Sequence, residues 1–318
     1  MVDIDALDVR IVHALSIDGR APFARVGEVL GVSDRTVARR YARLREGGVL
    51  RVVGAVDAAR LGGARWLIRL HCQPGSALEV AAALARREDT RWVHLLSAGT
   101  EISASLQSWS PQERDDLLLQ RLQNTAPVVS VTAHNVLQVY GGGPDVFGGF
   151  RVLDEAQVAA LRPRLAAAPA TDFADADRPL LRELSRDGRA PYPVLARAAG
   201  WSESTAARRV EALRAGGLVF FDVDVDAAGL GYHANCQLWA AVPPSLLEET
   251  GRELAAHPEV VFCAATTGPR NLVASVVCRD TGDLYRYLTR RIGALAHVRE
   301  VEMSPIIRTV KRAGTVHP

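Results

Sequence analysis

The chain has 318 residues, of which 48% are hydrophobic and 23% are charged, and its formal net charge is +2. This length predicts two or three domains, and the composition is that of an ordinary globular protein. The nearly neutral charge excludes a uniformly basic surface, so binding to nucleic acid would require a local cluster of cations. The sequence shows no signal peptide, no apolar run of about 18 residues and no metal-binding pair among its four cysteines. We therefore expect a cytosolic protein that contacts no membrane and needs neither metal nor cofactor.

The N-terminal segment predicts three short helices followed by a strand. The first helix can end at Gly19, a second lies between Pro22 and Gly31, and Ser33 can cap a third. Three helices with a glycine-containing turn before the last one are typical of a helix-turn-helix. The stretch VLRVVGAVD that follows has the alternation of a strand and predicts a β-wing.

The third helix carries a row of arginines on one side. On a helical wheel, Val37, Tyr41 and Leu44 form an apolar stripe, and the arginines at every fourth position from Arg35 to Arg43 lie opposite. Long cationic side chains reach phosphates, and a guanidinium can pair with two acceptors on guanine. The alternative is a solvated helix face paired with acids, which we disfavour because the only acid between Ser33 and Arg45 is Asp34.

The remainder of each half has a different periodicity. Short strand-like and helix-like segments follow in the order β-α-β-β-α-β, for example WLIRLHC, LEVAAALARR, VHLLSA, ISASLQSW, RDDLLLQRLQ and VVSVTAHNVLQVY. This order is the ferredoxin-like pattern, in which helices cover one face of an antiparallel sheet. Something must cover the other face, and two such sheets in one chain could cover each other.

The sequence contains this whole arrangement twice, because the stretch that begins at Ser16 returns without a gap at Ser185. Between residues 8–50 and 177–219, 18 of 43 aligned positions are identical. The Gly-rich stretch YGGGPDVFGGF separates the copies and predicts a linker that leads into a short helix. We expect an α+β protein with tandem copies of a winged helix-turn-helix and a ferredoxin-like (ACT-like) domain. The expected boundaries are 1–62, 63–140, a linker at 141–172, 173–231 and 232–318.

The second copy has a less basic third helix than the first. Ser33–Arg45 carries five arginines and one aspartate, whereas Ser202–Arg214 carries three arginines and two glutamates. We expect the first helix to supply most of the DNA affinity and the second to read a divergent half-site or to contribute little. The residues expected at double-stranded DNA are Ser33, Arg35, Thr36, Arg39, Arg40 and Arg43 in the first copy, and Ser202, Ser204, Thr205, Arg208 and Arg209 in the second.

The residues of the first helix-turn-helix resemble a known family. The stretch from LDVRIVHALSIDGR to TVARRYARLREGGVL is similar to the winged helix of the leucine-responsive/asparagine-operon regulators (Lrp/AsnC), most specifically in its DGR, its turn and its arginine pair. Both copies match, and the sheet regions resemble the family's regulatory domain. The resemblance implies a bacterial or archaeal transcriptional regulator that binds DNA on the nucleoid. It also implies homo-oligomers, dimers or tetramers here, formed through the regulatory domains, and a response to an amino acid or another small effector. The tandem chain resembles a covalent dimer of the family's unit.

The resemblance also implies an effector site at a glycine-containing turn between the second and third strands. In this sequence the matching residues are Gly99, Thr100 and Glu101 in the first copy, and Gly268, Arg270 and Asn271 in the second. Glu101 could meet an ammonium group and Arg270 a carboxylate. A plain β-turn, in which glycine supplies a positive φ, explains the same residues.

Two other functions remain open at this stage. The expected fold, with its two fused copies, also resembles that of sirohaem decarboxylases. His233 is a faint match to the histidine that such an enzyme would need. An enzyme gives no reason for the arginine row, so we expect no catalytic residues. The other alternative is an architectural DNA-binding protein without an effector.

Overall fold

The chain divides into two compact units that combine equivalent parts of the two copies. The computed structural model describes residues 3–56, 63–108, 112, 115, 122, 125–142, 151–163, 165, 172–313 and 315–316. One unit, here called the head unit, contains residues 1–61 and 149–230, and the other, the sheet unit, contains residues 62–142 and 231–318. Both helix-turn-helix regions are therefore in one unit and both sheet regions are in the other.

The head unit contains the predicted helices of both copies. The first copy contributes α1 (Ala6–Ile17), α2 (Phe23–Leu30), α3 (Asp34–Glu46) and strand β1 (Leu50–Val56). A helix that lies between the copies in the sequence is α5 (Glu155–Leu161). The second copy contributes α6 (Arg178–Arg186), α7 (Tyr192–Ala199), α8 (Glu203–Ala215) and strand β6 (Val219–Val225). The prediction of three helices and a strand in each copy is confirmed.

Local hydrogen bonds set the helix starts. The Asp5 side chain caps α1 by accepting from Leu7 N and Asp8 N, and the Asp8 side chain bonds back to the Asp5 backbone. Ser33 caps α3 as predicted, because its Oγ accepts from Thr36 N at 3.1 Å. Gly31 ends α2 in the left-handed conformation, with φ of 71°.

Strand β1 is not part of a local wing. It pairs antiparallel with β6, the equivalent strand of the other copy, and the two form a two-stranded sheet in register from Leu50↔Val225 to Val56↔Val219. The alternation in the sequence correctly predicted a strand, but the expectation of a β-wing was wrong about its partner. A strand leaves one row of N–H and C=O groups unpaired, and here the second copy supplies the partner.

The predicted linker helix is α5, and it packs on the first copy. The side chain of Arg25 donates to Ala160 O at 2.9 Å and to Arg162 O at 3.0 Å, and His13 Nδ1 accepts from Val152 N and Leu153 N. Leu161 of this helix is fully buried. Residues 151–163 are therefore an ordered part of the head unit, whereas the Gly-rich stretch at 143–150 lies outside the described residues.

The sheet unit contains the remaining strands. The first copy contributes β2 (Ala64–Cys72), α4 (Ala77–Ala85), β3 (Thr90–Leu96), β4 (Glu101–Ser108) and β5 (Val128–Gly141). The second contributes β7 (Ala234–Ala241), α9 (Leu247–Ala255), β8 (Val260–Thr266), β9 (Leu272–Cys278), α10 (Thr281–Arg286), β10 (Glu300–Arg312) and β11 (Thr315–Val316). The second copy shows the full β-α-β-β-α-β order. In the first copy, the predicted helix RDDLLLQRLQ lies almost entirely outside the described residues, as does the repeated VDAARLG after Val56.

The last strand of each copy connects the two sheets. β5 pairs with β2 of its own copy and then with β8 of the other, and β10 pairs with β7 and then with β3. The strand order β10-β3-β4-β2-β5-β8-β9-β7 closes on itself through the β10–β7 pairing. Leu67 of the first copy also packs in one cluster with Trp239, Ala264 and Val273 of the second. Each sheet thus helps to cover the other, as the sequence indicated.

Candidate DNA-binding surface

Helix α3 turns an apolar stripe inward and a cationic side outward. Val37 and Leu44 are fully buried, and Tyr41 is 6% exposed. Phe23 of α2 packs on Tyr41, with 5.4 Å between the ring centroids. This packing fixes the rotation of α3 about its axis, so the residues opposite the stripe project away from the helices beneath.

Arg35 and Arg39 are exposed on that outer side. Within the described part of the chain, neither guanidinium has an ion-pair or hydrogen-bond partner. Ser33 and Thr36 lie at the start of the same helix, and their hydroxyls are 2.9 Å apart. These four residues form a polar, cationic surface at the N-terminal half of α3, where the helix dipole also attracts anions.

Arg40 and Arg43 differ from Arg35 and Arg39 because both are paired with acids, although Arg43 is also exposed. Arg40 Nη1 lies 2.7 Å from Asp5 Oδ2 and 3.0 Å from Asp8 Oδ1, and Arg43 pairs with Asp8 and donates to Asp3 O. Asp8 is fully buried. The hydrogen bond from Arg40 holds the pKa of Asp5 below its usual range. Our expectation that all these arginines are free of acids was therefore wrong for these two, because the acids come from α1 and not from α3.

The second copy repeats this division of roles. Arg208 of α8 is exposed, whereas Arg209 binds the buried Asp177 through Nε at 2.7 Å and Nη2 at 2.6 Å. Arg209 also donates to Asp172 O. Arg209 was predicted to contact DNA, but its guanidinium is occupied at the base of α6. In each copy the first arginine of the pair points outward and the second holds two helices together.

The capping residues of α8 match those of α3. Ser202 Oγ accepts from Thr205 N at 3.2 Å, and the Ser204 hydroxyl lies 3.1 Å from it. Ser204 occupies the position that Arg35 has in the first copy. Among the described residues, α8 therefore carries one exposed arginine without an acid partner, Arg208, where α3 carries two, Arg35 and Arg39.

Sequence reasoning missed the role of Arg20 and Arg189, the arginines of the two DGR motifs. Arg20 donates to Gly188 O and Ala190 O, and Arg189 donates to Gly19 O and Ala21 O. The sequence marks this motif, because DGR lies in one of the longest identical runs between the copies. It does not reveal the role of the arginines, because the partners of each arginine lie in the other copy.

The two turns proposed for an effector are joined by ion pairs in the sheet unit. Glu101 is buried and binds Arg69, whose Nε lies 2.6 Å from Oε1, and Arg69 also binds Glu302. Arg270 binds the same Glu302 at 2.5 Å. The hydrogen bond from Arg69 lowers the pKa of Glu302. Glu101 of the first copy and Arg270 of the second therefore belong to one network.

The other residues of these turns have mainly backbone roles. Gly99 and Gly268 adopt positive φ angles of 76° and 110°. Asn271 accepts from Val242 N and donates to Val242 O, so its amide closes the end of β7. Thr100 contributes its carbonyl oxygen, which accepts from Cys72 N.

Comparisons with known proteins give the family. The model of the AsnC-type helix-turn-helix domain matches residues 4–45 and 175–214, and the model of the Lrp/AsnC ligand binding domain matches residues 238–316. Together these matches cover just over half of the chain. The chain belongs to the Lrp/AsnC family.

Three curated relatives each match less than half of this chain over nearly the whole of their own length. The HTH-type transcriptional regulator FL11 of Pyrococcus horikoshii is 27% identical over 42% of this chain and 89% of its own length. The regulatory protein AsnC of Haemophilus influenzae is 28% identical over 42% of this chain and 95% of its own length. AsnC of Escherichia coli is 29% identical over 42% of this chain and 93% of its own length. In keeping with this membership, the chain is a DNA-binding transcriptional regulator.

One solved structure matches this Lrp/AsnC chain over almost its whole length. It is the siroheme decarboxylase NirDL, which covers 96% of this chain and 92% of its own with a TM-score of 0.61 and 15% identity. At that identity the likeness shows a shared fold alone.

None of the described helices is long and apolar enough to cross a membrane.

Proposed function

We propose that this Lrp/AsnC regulator reads its operator with two unequal helices, α3 as the main reader and α8 as the lesser one. The observation that carries this proposal is the pair of exposed guanidiniums of Arg35 and Arg39, held opposite the buried stripe of α3. Planar guanidiniums on an exposed helix can enter a major groove and pair with guanine or with phosphates. The proposed contacts are Ser33, Arg35, Thr36 and Arg39 in the first copy, and Ser202, Ser204, Thr205 and Arg208 in the second.

Arg40, Arg43 and Arg209 are omitted from this set for an energetic reason. To contact DNA, each would have to leave a carboxylate that is buried or already paired with it. Arg209 is the ion-pair partner of the buried Asp177, and leaving such a carboxylate without its partner costs about 3–5 kcal/mol. Arg40 and Arg43 share the buried Asp8, so moving both of them to DNA would leave that carboxylate unpaired in the same way.

DNA binding by the whole chain tests the proposal. A duplex pool selected by the wild-type protein supplies the operator, and fluorescence anisotropy then measures Kd. We expect the Arg35→Ala/Arg39→Ala variant to bind at least about tenfold more weakly and to lose about two units of salt-dependence slope, since each phosphate contributes about 0.9. Arg252→Ala/Arg286→Ala, which removes one exposed arginine each from α9 and α10 in the sheet unit, is the matched charge control. Equal losses in both variants would mean that α3 is not the reader.

The effector site that we propose is the network of Glu101, Arg69, Glu302 and Arg270. A zwitterionic small molecule such as an amino acid carries the two charges that could replace partners within it, an ammonium group for the glutamates and a carboxylate for the arginines. The ligand-binding-domain model includes Arg270 and Glu302, which supports this location. Calorimetric titration with each of the common amino acids tests it. Glu101→Gln should weaken the binding of an amino acid that occupies this site. If no amino acid gives a heat of binding, the proposal of an amino-acid effector is contradicted.

The proposed setting is the cytoplasm, on the nucleoid, with self-association through the sheet unit. Because one chain already contains both copies, its monomer has the number of reading helices that a dimer of single-copy relatives has. From its family membership we expect a dimer or tetramer of such chains, and light scattering coupled to size exclusion measures the assembly. The expected domain boundaries are those given by the repeat. Residues 151–163 are assigned to the helix-turn-helix region of the first copy. The helix-turn-helix region of one copy is called a head below, so the head unit contains two heads.

The full-length likeness to a siroheme decarboxylase makes tetrapyrrole chemistry the alternative to test. His233 is exposed at the start of β7, where its backbone N–H donates to Arg279 O. Titration with an iron tetrapyrrole should leave the absorption spectrum of the cofactor unchanged if the chain is only a regulator. A shifted absorption band that disappears in His233→Ala would favour the enzyme.

A further inference from the structure

The DGR arginines of the two copies form a reciprocal bridge inside the head unit. Arg20 of the first copy donates through Nη1 to Gly188 O at 2.8 Å and through Nη2 to Ala190 O at 3.2 Å. Arg189 of the second copy donates in the same way to Gly19 O at 2.6 Å and to Ala21 O at 3.0 Å. Each guanidinium therefore connects the turn between the first two helices of its own copy to the matching turn of the other.

Ion pairs and aromatic rings surround this bridge with the same two-fold relation. Asp18 pairs with Arg214 at 2.5 Å, and Asp187 pairs with Arg45 at 2.9 Å. Arg45 and Arg214 lie in the last turns of the reading helices α3 and α8. The acids of both DGR turns thus hold the C-terminal end of the other copy's reading helix.

The guanidiniums themselves are packed and not merely charged. Arg189 lies over the Phe23 ring at 4.2 Å, and Arg20 lies over the Tyr192 ring at 4.9 Å. Burial lowers the pKa of Arg189 from its usual value. Neutral carbonyl oxygens are its direct hydrogen-bond acceptors. Such an arrangement costs desolvation energy that a simple surface contact would not require, and it specifies one relative position of its partners.

The glycines of the DGR turns lie in close contact with strands β1 and β6. A Cβ on Gly19 would lie 2.8 Å from Val52 Cγ1 and 2.9 Å from Phe221 Cβ. A Cβ on Gly188 would lie 2.8 Å from the carbonyl carbon of Val53. The turns are therefore inserted directly against the β1–β6 ribbon, and sliding of one head along the other would create clashes.

We propose that Arg20 and Arg189 are positioning residues that set the distance and angle between α3 and α8, and hence the half-site spacing that the chain accepts. Three features connect one head to the other: the arginine bridge, the crossed ion pairs and the β1–β6 ribbon. Each reading helix is in turn attached to its own head by its buried apolar stripe. A protein that reads two half-sites accepts only spacings that match its own geometry, near whole turns of about 10.5 base pairs. The proposal rests on DNA reading by both helices, as proposed above.

The first arm of the test measures the geometry without DNA. Glu28 and Arg197 are equivalent exposed residues in the two copies, and all four native cysteines are buried. Nitroxide labels on Glu28→Cys and Arg197→Cys therefore report the distance between the heads by double electron–electron resonance. We expect a narrow distance distribution in the otherwise wild-type chain and a broad one in Arg20→Ala/Arg189→Ala. Arg20→Lys/Arg189→Lys keeps the charge but loses the planar fork that aims two N–H groups at two separate carbonyls and stacks on the aromatic rings, so it should broaden the distribution as well, and it serves if the alanine variant does not fold.

The second arm measures spacing preference on the selected operator. Inserting about five base pairs between the half-sites turns one of them to the opposite side of the duplex. We expect this insertion to weaken the wild type at least about tenfold and the bridge variants less than about threefold, with all of them binding a lone half-site equally. An unchanged distance distribution and an unchanged spacing preference in both bridge variants would overturn the proposal. If the wild-type chain selects no DNA at all, the proposed function fails while the first arm still decides on the bridge.

Discussion

Arg209 and Asp177 form a two-bonded ion pair between α8 and the start of α6, with N–O distances of 2.7 and 2.6 Å. Asp177 is 1% exposed, so the carboxylate depends on this partner. Its neighbour Arg208 points outward and makes no such pair among the described residues. Two adjacent arginines therefore have separable roles.

Substitution of each arginine should separate stability from DNA binding. Arg209→Ala leaves a buried carboxylate without its partner and should lower the free energy of unfolding by about 3 kcal/mol, seen as a lower midpoint in thermal denaturation. Arg208→Ala should leave the midpoint within about 1 °C and weaken operator binding instead. The assignment is wrong if Arg208→Ala destabilises the chain as much as Arg209→Ala does.

The two copies should contribute unequally to DNA affinity. Arg39→Ala and Arg208→Ala remove the same side chain from equivalent positions, so they form a matched pair. We expect Arg39→Ala to cost about 1–3 kcal/mol in operator binding and Arg208→Ala clearly less, because Arg35 has no counterpart arginine in α8. Anisotropy titrations at several salt concentrations measure both. Equal losses would show that the heads read with equal strength.

A methyl group at Gly188 should destabilise the head unit. Its Cβ would lie 2.8 Å from the carbonyl carbon of Val53, a backbone atom of β1 that cannot move aside as a flexible side chain could. Gly188→Ala should therefore lower the free energy of unfolding by about 1–3 kcal/mol. Gly293→Ala is the control, since its Cβ would have its nearest neighbour at 3.5 Å and its φ is not positive. Denaturant titration of both variants measures the difference. Similar behaviour of the two would contradict the close approach of the DGR turn to β1.

The single lysine of the chain should make stability depend on alkaline pH. Lys311 is buried, and burial, aided by Arg91, lowers its pKa from 10.5 to about 8. Since the folded pKa lies below the unfolded one, the unfolded chain binds more protons between these values, and stability rises with pH across that window. The rise should reach about 2 kcal/mol between about pH 7.5 and 9.5.

Lys311→Met isolates this effect from the other groups that titrate in the same window. The difference in unfolding free energy between wild type and variant should change with pH by the amount given above, while the constant offset reports the lost hydrogen bonds to Arg87 O and Thr90 Oγ1. Urea titrations at several pH values measure it. Parallel pH profiles of the two proteins would show that the Lys311 amine titrates normally.

Sequence alone determined the elements and their repetition. Helix periods and caps are local, so Ser33, Gly31 and the stripe of Val37, Tyr41 and Leu44 could be identified from neighbouring residues. The gapless match between the two halves likewise revealed a tandem chain, and the arginine row predicted that α3 faces DNA. These features depend on interactions within one or two turns, which spacing along the chain reports directly.

Tertiary structure alone decided which arginines are free and what the strands pair with. A helical wheel cannot distinguish Arg39 from Arg43, because the Asp8 carboxylate that engages Arg43 belongs to a different helix, α1. The partner of β1, and the carbonyls that bind Arg20, lie in the other copy. Such contacts depend on how the chain brings distant segments together, and spacing along one segment carries no record of them.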